Sequence, residues 1–589
     1  MLEVREVSLR AGVLPDGEPL MLLRDISAHF PRGHLCAIVG PSGSGKSTLL
    51  KAIAGILEPE KGAIYWEGRD LAAERDLEPH EIGYVPQFGI SFDLLTVAES
   101  MDTALRLRVG GLDDAMRTRR TQEILRDAGL EEIADRRTGV LSGGQKRRLA
   151  LAIEMATQPV LLLCDEVTSG LDTKSEDEIV QLMRRLADDG PGRTVLSVTH
   201  SLRHLEVHDT VAVLYQGRLV YHGAPDLLPH FFTIPGPEHL FDCLETRLPD
   251  AWAASWRKHR AAYYACLVDP VTPVARAAED PISSPPVEQI FPAEDMGPEK
   301  GGAFQTPTWM AQLLALLTRQ RRLLLRDRGQ LLLQLALLFG FPCLVVIFAW
   351  DGLPQIANLS GSPSANAVQQ LLADASFSLQ AVRVGGLVSG LVMFQVVLLT
   401  LMGSNNAARE IAGQRAIFEK EKFAGLRTSA FLASKAAYVA VILAAQSIWM
   451  ALFVNTICHF PGDLLAQAGI LCAVNAAMTS MCLGISAQMK TADQASLVSV
   501  YLVGFQLPLS GAVLALPQAL GWMTRPFIAA YWGWSGYLET MRDTRFYDVV
   551  QMTSRTSLAP YAVCAWVLMA HVAAGLLLAY FGARESRWD

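Results

Sequence analysis

Apolar and polar positions change their rhythm along the chain. Up to about residue 230, short apolar runs alternate with amphipathic stretches. Leu35-Cys36-Ala37-Ile38-Val39, Val160-Leu161-Leu162-Leu163-Cys164 and Thr194-Val195-Leu196-Ser197-Val198 are short and continuous. Strands buried on both faces look like this, and helical patterns lie between them, so 1–230 reads as an α/β domain. From 231 to 306 the pattern decays, with proline and acidic residues gathering at Asp280-Pro281-Ile282-Ser283-Ser284-Pro285-Pro286. That segment reads as a partly disordered linker. Residues 307–329 carry Arg319, Arg321, Arg322, Arg326 and Arg328 on an amphipathic stretch, expected to lie along a membrane surface as a connecting helix. The rest, 330–589, is expected to hold six spans at about 330–350, 384–406, 431–457, 464–488, 494–516 and 559–582. Each is long enough for a hydrocarbon core of roughly 30 Å.

Composition fits a chain that is partly in lipid, with 51% hydrophobic and 19% charged residues; a disordered, collagen-like or disulfide-scaffold protein is excluded. Net charge is −8, and no basic stripe points to nucleic acid as a partner. The nine cysteines are scattered without a CxxC pair, so neither a zinc site nor a disulfide framework is indicated. An even number of spans puts both termini on one side. Lys and Arg number about 13 on the segments of that side and about five on the opposite loops, which makes it the cytoplasmic one. With no signal peptide at the N-terminus, the expectation is an integral protein of the plasma (inner) membrane, its soluble domain and both termini cytoplasmic.

Gly40-Pro41-Ser42-Gly43-Ser44-Gly45-Lys46-Ser47-Thr48 follows a predicted strand and opens a predicted helix. Its glycines let backbone N–H groups curl around phosphates, Lys46 reaches the β/γ-phosphates, and Ser47 turns its hydroxyl to Mg²⁺. ATP and Mg²⁺ are the expected ligands. The apolar strand ending in Asp165-Glu166 supplies a metal-orienting carboxylate, Asp165, and beside it a candidate general base for water, Glu166. Just upstream, Leu141-Ser142-Gly143-Gly144-Gln145 puts small residues and a hydroxyl at an expected helix N-terminus, a second backbone anion site. Two such sites are useful if ATP is sandwiched between two copies of the domain.

In order and spacing these motifs resemble the nucleotide-binding domain of ATP-binding-cassette (ABC) transporters, and the Leu141–Gln145 run is identical to that family's signature motif. The resemblance implies further roles. Gln87, in Tyr84-Val85-Pro86-Gln87, corresponds to the glutamine that touches Mg²⁺ and senses the membrane domain. Asp172 closes Ser169-Gly170-Leu171-Asp172, which is similar to the D-loop. His200, after Val198-Thr199, corresponds to the switch histidine that contacts the γ-phosphate. Two positions depart from the pattern. Residues 4–20 hold no aromatic to stack on adenine, where Val13 or Leu14 is expected to substitute with loose base selectivity, and Val167 stands where proline is usual. Every catalytic position is intact, so a homodimer would have two competent sites.

The domain order resembles the G subfamily of half-transporters, the group of the white pigment, sterol and multidrug exporters. Leu95–Ser100, Gly217–Gly223 followed by Phe231-Phe232, and Glu410–Lys422 followed by Ser434-Lys435 carry that resemblance beyond the motifs. It implies an α/β P-loop NTPase cassette followed by an all-α polytopic membrane domain of six transmembrane helices. The implied function is ATP-driven export of an amphipathic or lipid-like substrate by alternating access, as a homodimer or as a heterodimer with another half-transporter. The alternative is an ATP-driven coupler or signalling module that translocates nothing.

The charged run from Arg409 to Arg427 reads as a solvated amphipathic helix that docks on the nucleotide domain and carries its closure into the membrane. Gln395, Asn405, Asn406, Gln446, Asn475 and Gln506 fall within spans, where a polar group either lines a path or fixes helix contacts. Gly386 and Gly390 suit close packing across a dimer axis. Ser510-Gly511-Ala512-Val513 is similar to the subfamily's Ser-Gly-Leu-Leu, so Ala512 and Val513 would form a smaller apolar plug. Asn358-Leu359-Ser360 is a glycosylation sequon in an expected external loop.

Overall fold

The computed structural model describes the chain except for residues 14–18, 72–76, 88–90, 190–191, 269–304, 351–366, 513–515, 555 and 586–589. The expectations for Leu14 and the Val13 side chain, for the Ser283-Ser284 stretch, for the Asn358 sequon and for Val513 therefore lie outside the described residues. The chain divides into two units, Met1–Ala311 with Phe423–Gly425, and Gln312–Lys422 with Leu426–Asp589.

In the first unit the strands are β1 (Leu2–Val13), β2 (Pro19–Phe30), β3 (Leu35–Val39), β4 (Lys61–Trp66), β5 (Arg69–Asp70), β6 (Ile82–Val85), β7 (Leu161–Asp165), β8 (Thr194–Val198), β9 (Thr210–Tyr215) and β10 (Arg218–Gly223). β2-β1-β4-β5 is an antiparallel sheet. The second sheet has the order β10-β9-β3-β8-β7-β6, parallel except where β10 pairs with β9. β3, β7 and β8 are buried at every position, as their unbroken apolar runs require. Five helices support the sheets: α1 (Lys46–Ile53), α2 (Val97–Arg108), α3 (Asp114–Asp127), α4 (Gly143–Glu154) and α5 (Thr173–Asp188). α4 serves two cores. Leu149 and Ala152 pack with Met101, Leu105 and Leu125 of α2 and α3, whereas Ala150 and Leu151 pack with Val85, Leu162 and Ile179. A buried ion pair ties its end to α2, Arg108 donating to both carboxylate oxygens of Glu154 at 2.9 and 3.1 Å.

The decay expected from residue 231 sets in later. Helices continue through Leu228–Phe232 and Leu240–Leu244 to α6 (Pro249–Val268). The reason is aromatic packing rather than periodicity alone. Tyr221 on β10 meets the rings of Phe231, Trp256 and Tyr263 at 5.4, 5.5 and 5.7 Å, and such rings bury a large apolar area with geometric preference.

In the second unit the principal helices are α7 (Trp309–Arg326), α8 (Arg328–Ala349), α9 (Ala367–Ala407), α10 (Arg415–Phe423), α11 (Thr428–Cys458), α12 (Leu464–Gln488), α13 (Ala492–Gly504), α14 (Ala529–Glu539) and α15 (Tyr561–Arg584). Among the described residues five segments are long and apolar enough to cross a membrane: Arg328–Ala349, Val384–Phe423, Thr428–Cys458, Leu464–Gln488 and Tyr561–Arg584. The stretch expected as a further span at 494–516 is not one helix. α13 stops at Gly504, a single turn follows at Gln506–Leu509, and Gly511 turns the chain with φ 75°. Gly504, Pro508 and Gly511 fall within eight residues, too many breakers for a continuous helix.

Close helix contact occurs where the sequence did not point. A Cβ on Gly582 would lie 2.6 Å from the Ala487 carbonyl oxygen and one on Gly484 2.8 Å from that of Gly575, so α12 and α15 meet through glycines. Among the described residues nothing lies within 4 Å of a Cβ placed on Gly386 or Gly390. The charged run does form a helix, α10, but not a solvated one. Arg415, Phe418, Glu419 and Lys420 are buried. Their region is laced by ion pairs: Arg319 with Glu421, Lys422 with Glu419 at 2.9 Å and Lys435 with Glu410 at 2.8 Å. Buried charges persist only when paired in this way.

Candidate functional site

The phosphate loop is built by β3 stopping at Val39 and α1 starting at Lys46. Gly45 is left-handed at φ 95°, and a Cβ there would lie 2.8 Å from the Leu22 carbonyl oxygen, so only glycine fits. The Lys46 amine donates to the carbonyls of Gly40 and Pro41, each at 2.9 Å. Burial pulls its pKa down, opposed by the nearby carboxylates of Glu166 and Asp165. Ser44 is 2% exposed and its hydroxyl has no partner among the described residues. A buried unpaired hydroxyl inside a loop rich in backbone N–H groups suits an anion. Gly40, Pro41, Ser42, Gly43 and Thr48 complete the loop and the start of α1.

Two adjacent carboxylates face this loop from the end of β7. Ser47 donates to one oxygen of Asp165 at 2.7 Å and the Tyr84 hydroxyl to the other at 3.2 Å. Burial raises the Asp165 pKa, and the Ser47 and Tyr84 hydrogen bonds act against that. Glu166 sits in left-handed backbone at φ 49°, an uncommon conformation for a non-glycine residue that recurs at functional sites. Gln87 donates to one Glu166 oxygen at 2.6 Å, and His200 Nε2 lies 2.6 Å from the other. The site therefore has two centres. Ser47 and Asp165 form one; Glu166, Gln87 and His200 form the other. Gln87, expected on the metal, is bonded to the candidate base instead. Val167 is buried in the sheet's core.

A hydroxyl and a carboxylate side by side are hard oxygen donors of the kind Mg²⁺ takes, with waters and phosphates filling the rest of its shell. Among the described residues no group of three or more His, Cys, Asp or Glu side chains could hold a metal. Sequence reasoning missed Tyr84 as part of the site. Its position three residues before Gln87 carried no signal that its hydroxyl reaches Asp165.

Ser142 and Gln145 form a capping box at the start of α4, Gln145 N–H to Ser142 Oγ at 3.3 Å and Ser142 N–H to Gln145 Oε1 at 3.0 Å. Gly143 and Gly144 fill that first turn. Asp172 caps α5, accepting from the Ser175 N–H at 3.0 Å. The two helix starts lie together, because a Cβ on Gly144 would be 2.9 Å from Ser175 Oγ. Among the described residues no hydrogen bond or ion pair joins Ser142–Gln145 or Asp172 to Gly40–Thr48.

In the second unit three of the six expected in-span polar residues, Asn406, Gln446 and Asn475, find one another. Gln334, Asn406, Gln446 and Asn475 form a chain across α8, α9, α11 and α12. Gln334 donates to Asn406 at 3.2 Å, Asn406 to Gln446 at 2.8 Å, and Asn475 to Ser447 at 3.1 Å and Gln446 at 3.5 Å. Gln506 accepts from the Ala530 N–H at 3.0 Å. Gln395 is fully buried, and neither its oxygen nor its nitrogen has a partner among the described residues. Asn405 is exposed. Ser510 Oγ accepts from the Ala512 N–H at 3.3 Å, and Ala512 packs against the helical core.

Residues 23–169 match the model of the ABC transporter family, and residues 311–533 match that of the ABC-2 type transporter family. The chain is 30% identical over 540 residues to the ABC transporter ATP-binding/permease protein Rv1747 of Mycobacterium tuberculosis, covering 88% of this chain and 56% of that protein. It is 37% identical over 219 residues to the sulfate/thiosulfate import ATP-binding protein CysA of Brucella melitensis, covering 37% of this chain and 60% of the other. The chain thus spans a little over half the length of these relatives. A solved structure titled as a dimeric, post-hydrolysis ATP-binding cassette with ADP and Pi is 29% identical, over 38% of this chain and 98% of that one, at a TM-score of 0.35.

Proposed function

We propose that this chain, an ABC transporter with an N-terminal cassette and a C-terminal ABC-2 type membrane domain, hydrolyses ATP to move an amphipathic or lipid-like substrate out across the membrane. The observation that carries the ATPase reading is the pair of centres on adjacent residues. Glu166, held on both oxygens by Gln87 and His200, is the general base that accepts a proton from the attacking water. Lys46 and the backbone N–H groups from Gly40 to Thr48 bind the phosphates. Ser47 and Asp165 hold Mg²⁺, which when bound neutralises phosphate charge. His200 exchanges its contact with Glu166 for the γ-phosphate, and Gln87 reports the change.

The unit acts as a dimer, with a homodimer first and a heterodimer second. In support, the Ser142–Gln145 start of α4 is a backbone anion site separate from the phosphate loop of the same chain, so it serves a nucleotide held by a second copy. Asp172 lies beside it for the same contact. The cassette carries the helices to Val268 packed on it, the stretch to 306 joins it to the connecting helix 307–329, and 330–589 is the membrane domain, with cassette and termini in the cytoplasm of an inner or plasma membrane. Cassette-first order supports a half-transporter of the G-subfamily type. The mutually bonded amides Gln334, Asn406, Gln446 and Asn475 support an amphipathic cargo, since they are taken up by one another rather than offered to an ion or a sugar.

The test is ATP-dependent movement of fluorescent lipids and hydrophobic dyes in inside-out vesicles, wild type against Glu166→Gln. Turnover and transport should fall by about 10²–10⁴-fold in the variant while ATP still binds. Near-normal turnover would remove Glu166 from its role. Hydrolysis without movement of any probe would favour the coupler.

A further inference from the structure

We infer that Tyr84 is a positioning residue for the metal-holding carboxylate, and that its hydroxyl sets the orientation of Asp165 toward Mg²⁺. The inference rests on the ATPase reading of the same site and goes beyond it. Gln87 and His200 both act on Glu166, so neither explains what holds Asp165. Asp165 has two oxygens and two donors: Ser47 at 2.7 Å and Tyr84 at 3.2 Å. Ser47 is itself expected to turn to the metal, so its bond to Asp165 gives way when the ion arrives. Tyr84 is not among the residues expected to turn to the metal.

Position makes the contact firm. Tyr84 lies on β6 and Asp165 ends β7, and these strands are paired in parallel with Tyr84 opposite Leu163 and Val85 opposite Cys164. The tyrosine ring is 2% exposed and the aspartate 5%. A phenol locked by packing on a neighbouring strand holds its hydroxyl in one place, and a carboxylate bonded to it loses the freedom to rotate about its terminal torsion. The partners of a metal ligand fix its orientation, and removing one commonly costs 10–100-fold in metal affinity or activity. The opposing reading is that the hydroxyl only satisfies itself, as buried tyrosines usually do. In that case its loss would cost stability and leave the metal response unchanged.

The two readings separate in Tyr84→Phe, which keeps the ring and deletes the donor. In the full chain, the Mn²⁺ concentration needed for nucleotide-dependent metal binding is read by electron paramagnetic resonance, in a Glu166→Gln background so that no turnover intervenes. ATPase activity against Mg²⁺ is read with Glu166 intact. We expect metal affinity to weaken about tenfold in both, and kcat at saturating Mg²⁺ to recover most of its value. The melting temperature reports folding separately, and a Tyr84→Leu variant with the same metal deficit would show that the hydroxyl is what matters. Unchanged metal affinity in folded Tyr84→Phe overturns the inference and leaves the ATPase reading standing. A wild-type chain that binds no ATP with metal overturns both.

Discussion

Gln87 in the cassette and Gln446 in the membrane domain are the same side chain in different company. Gln87 donates to a carboxylate that also meets a histidine, beside a second carboxylate that meets a serine and a tyrosine. Gln446 is bonded to Gln334, Asn406 and Asn475, all neutral amides on neighbouring helices. In the cassette, polar groups converge on titratable oxygens and leave a phosphate loop open beside them. In the membrane domain Gln334, Asn406, Gln446 and Asn475 satisfy each other. Convergence on a charge is what catalysis needs, because the charge changes during the reaction and its neighbours must already be in place. Mutual satisfaction is what a helix bundle in lipid needs, because an unpaired amide there has no water to turn to.

The contrast extends to size, and that is where it can be broken. The largest effect is expected at Arg108 and Glu154, a pair of full charges buried in the cassette. Arg108→Ala removes the guanidinium from a buried carboxylate and should cost roughly 3–5 kcal/mol. Arg108→Met with Glu154→Leu should recover most of that in a denaturation series. If the single variant costs no more than a surface substitution, the buried charges of the cassette are not the stake assigned to them.

Acidification comes next. His222 is fully buried, and desolvation pushes its pKa down to about 3. Burial lowers His29, His34 and His208 as well. A histidine whose folded pKa is depressed contributes its stability in full above the unfolded value of about 6.5 and loses it as pH falls; for His222, with a folded pKa of about 3, the loss is about 1.4 kcal/mol per unit. Cassette melting should therefore drop between pH 7.5 and 5.5, and His222→Phe should flatten that slope. A pH-independent melting temperature would show these rings accessible to protons in the folded state.

The smallest effects belong to the membrane domain, and there the sign carries the information. Gln446→Leu breaks several amide bonds and should destabilise by about 0.6–1.7 kcal/mol, from the average to the maximum found for single interhelical bonds in a bilayer. Gln395→Leu removes two buried polar atoms with no partners among the described residues, so it should be neutral or stabilising by about 1 kcal/mol. Unfolding in detergent reads both. A Gln446→Leu variant that keeps its stability and changes which probe is moved would turn that residue from a helix contact into a cargo contact.

Much of the cassette was legible because its chemistry is local. Nine consecutive residues build the phosphate loop, and the glycine at position 45 is demanded by a backbone turn that any reader of the run can infer. Ser142 was legible at an expected helix start for the same reason, whereas the capping role of Asp172 came only with the structure. Glu166 was nameable from its neighbour Asp165, although its left-handed backbone and its two partners were not. Val167, standing where proline is usual, places its side chain in the core beside β7. The aromatic helix Pro249–Val268 was lost to a reading that weighed proline and acid more than ring spacing.

What the sequence determined by itself is what contiguous residues decide: the buried strands, the phosphate loop, the capped helix starts and most of the apolar segments. What only the tertiary structure decided is who partners whom. Tyr84 and Asp165 are 81 residues apart, Gln87 and Glu166 79, and Gln334 and Gln446 112. A single chain read in order states that an amide or a phenol is present in an apolar run, but its energy depends on the group that packing brings opposite. The same holds for α10, whose charges read as a solvated face and were instead buried against their counterions. Burial raises the stakes of every such pairing, and burial is a property of the folded chain alone.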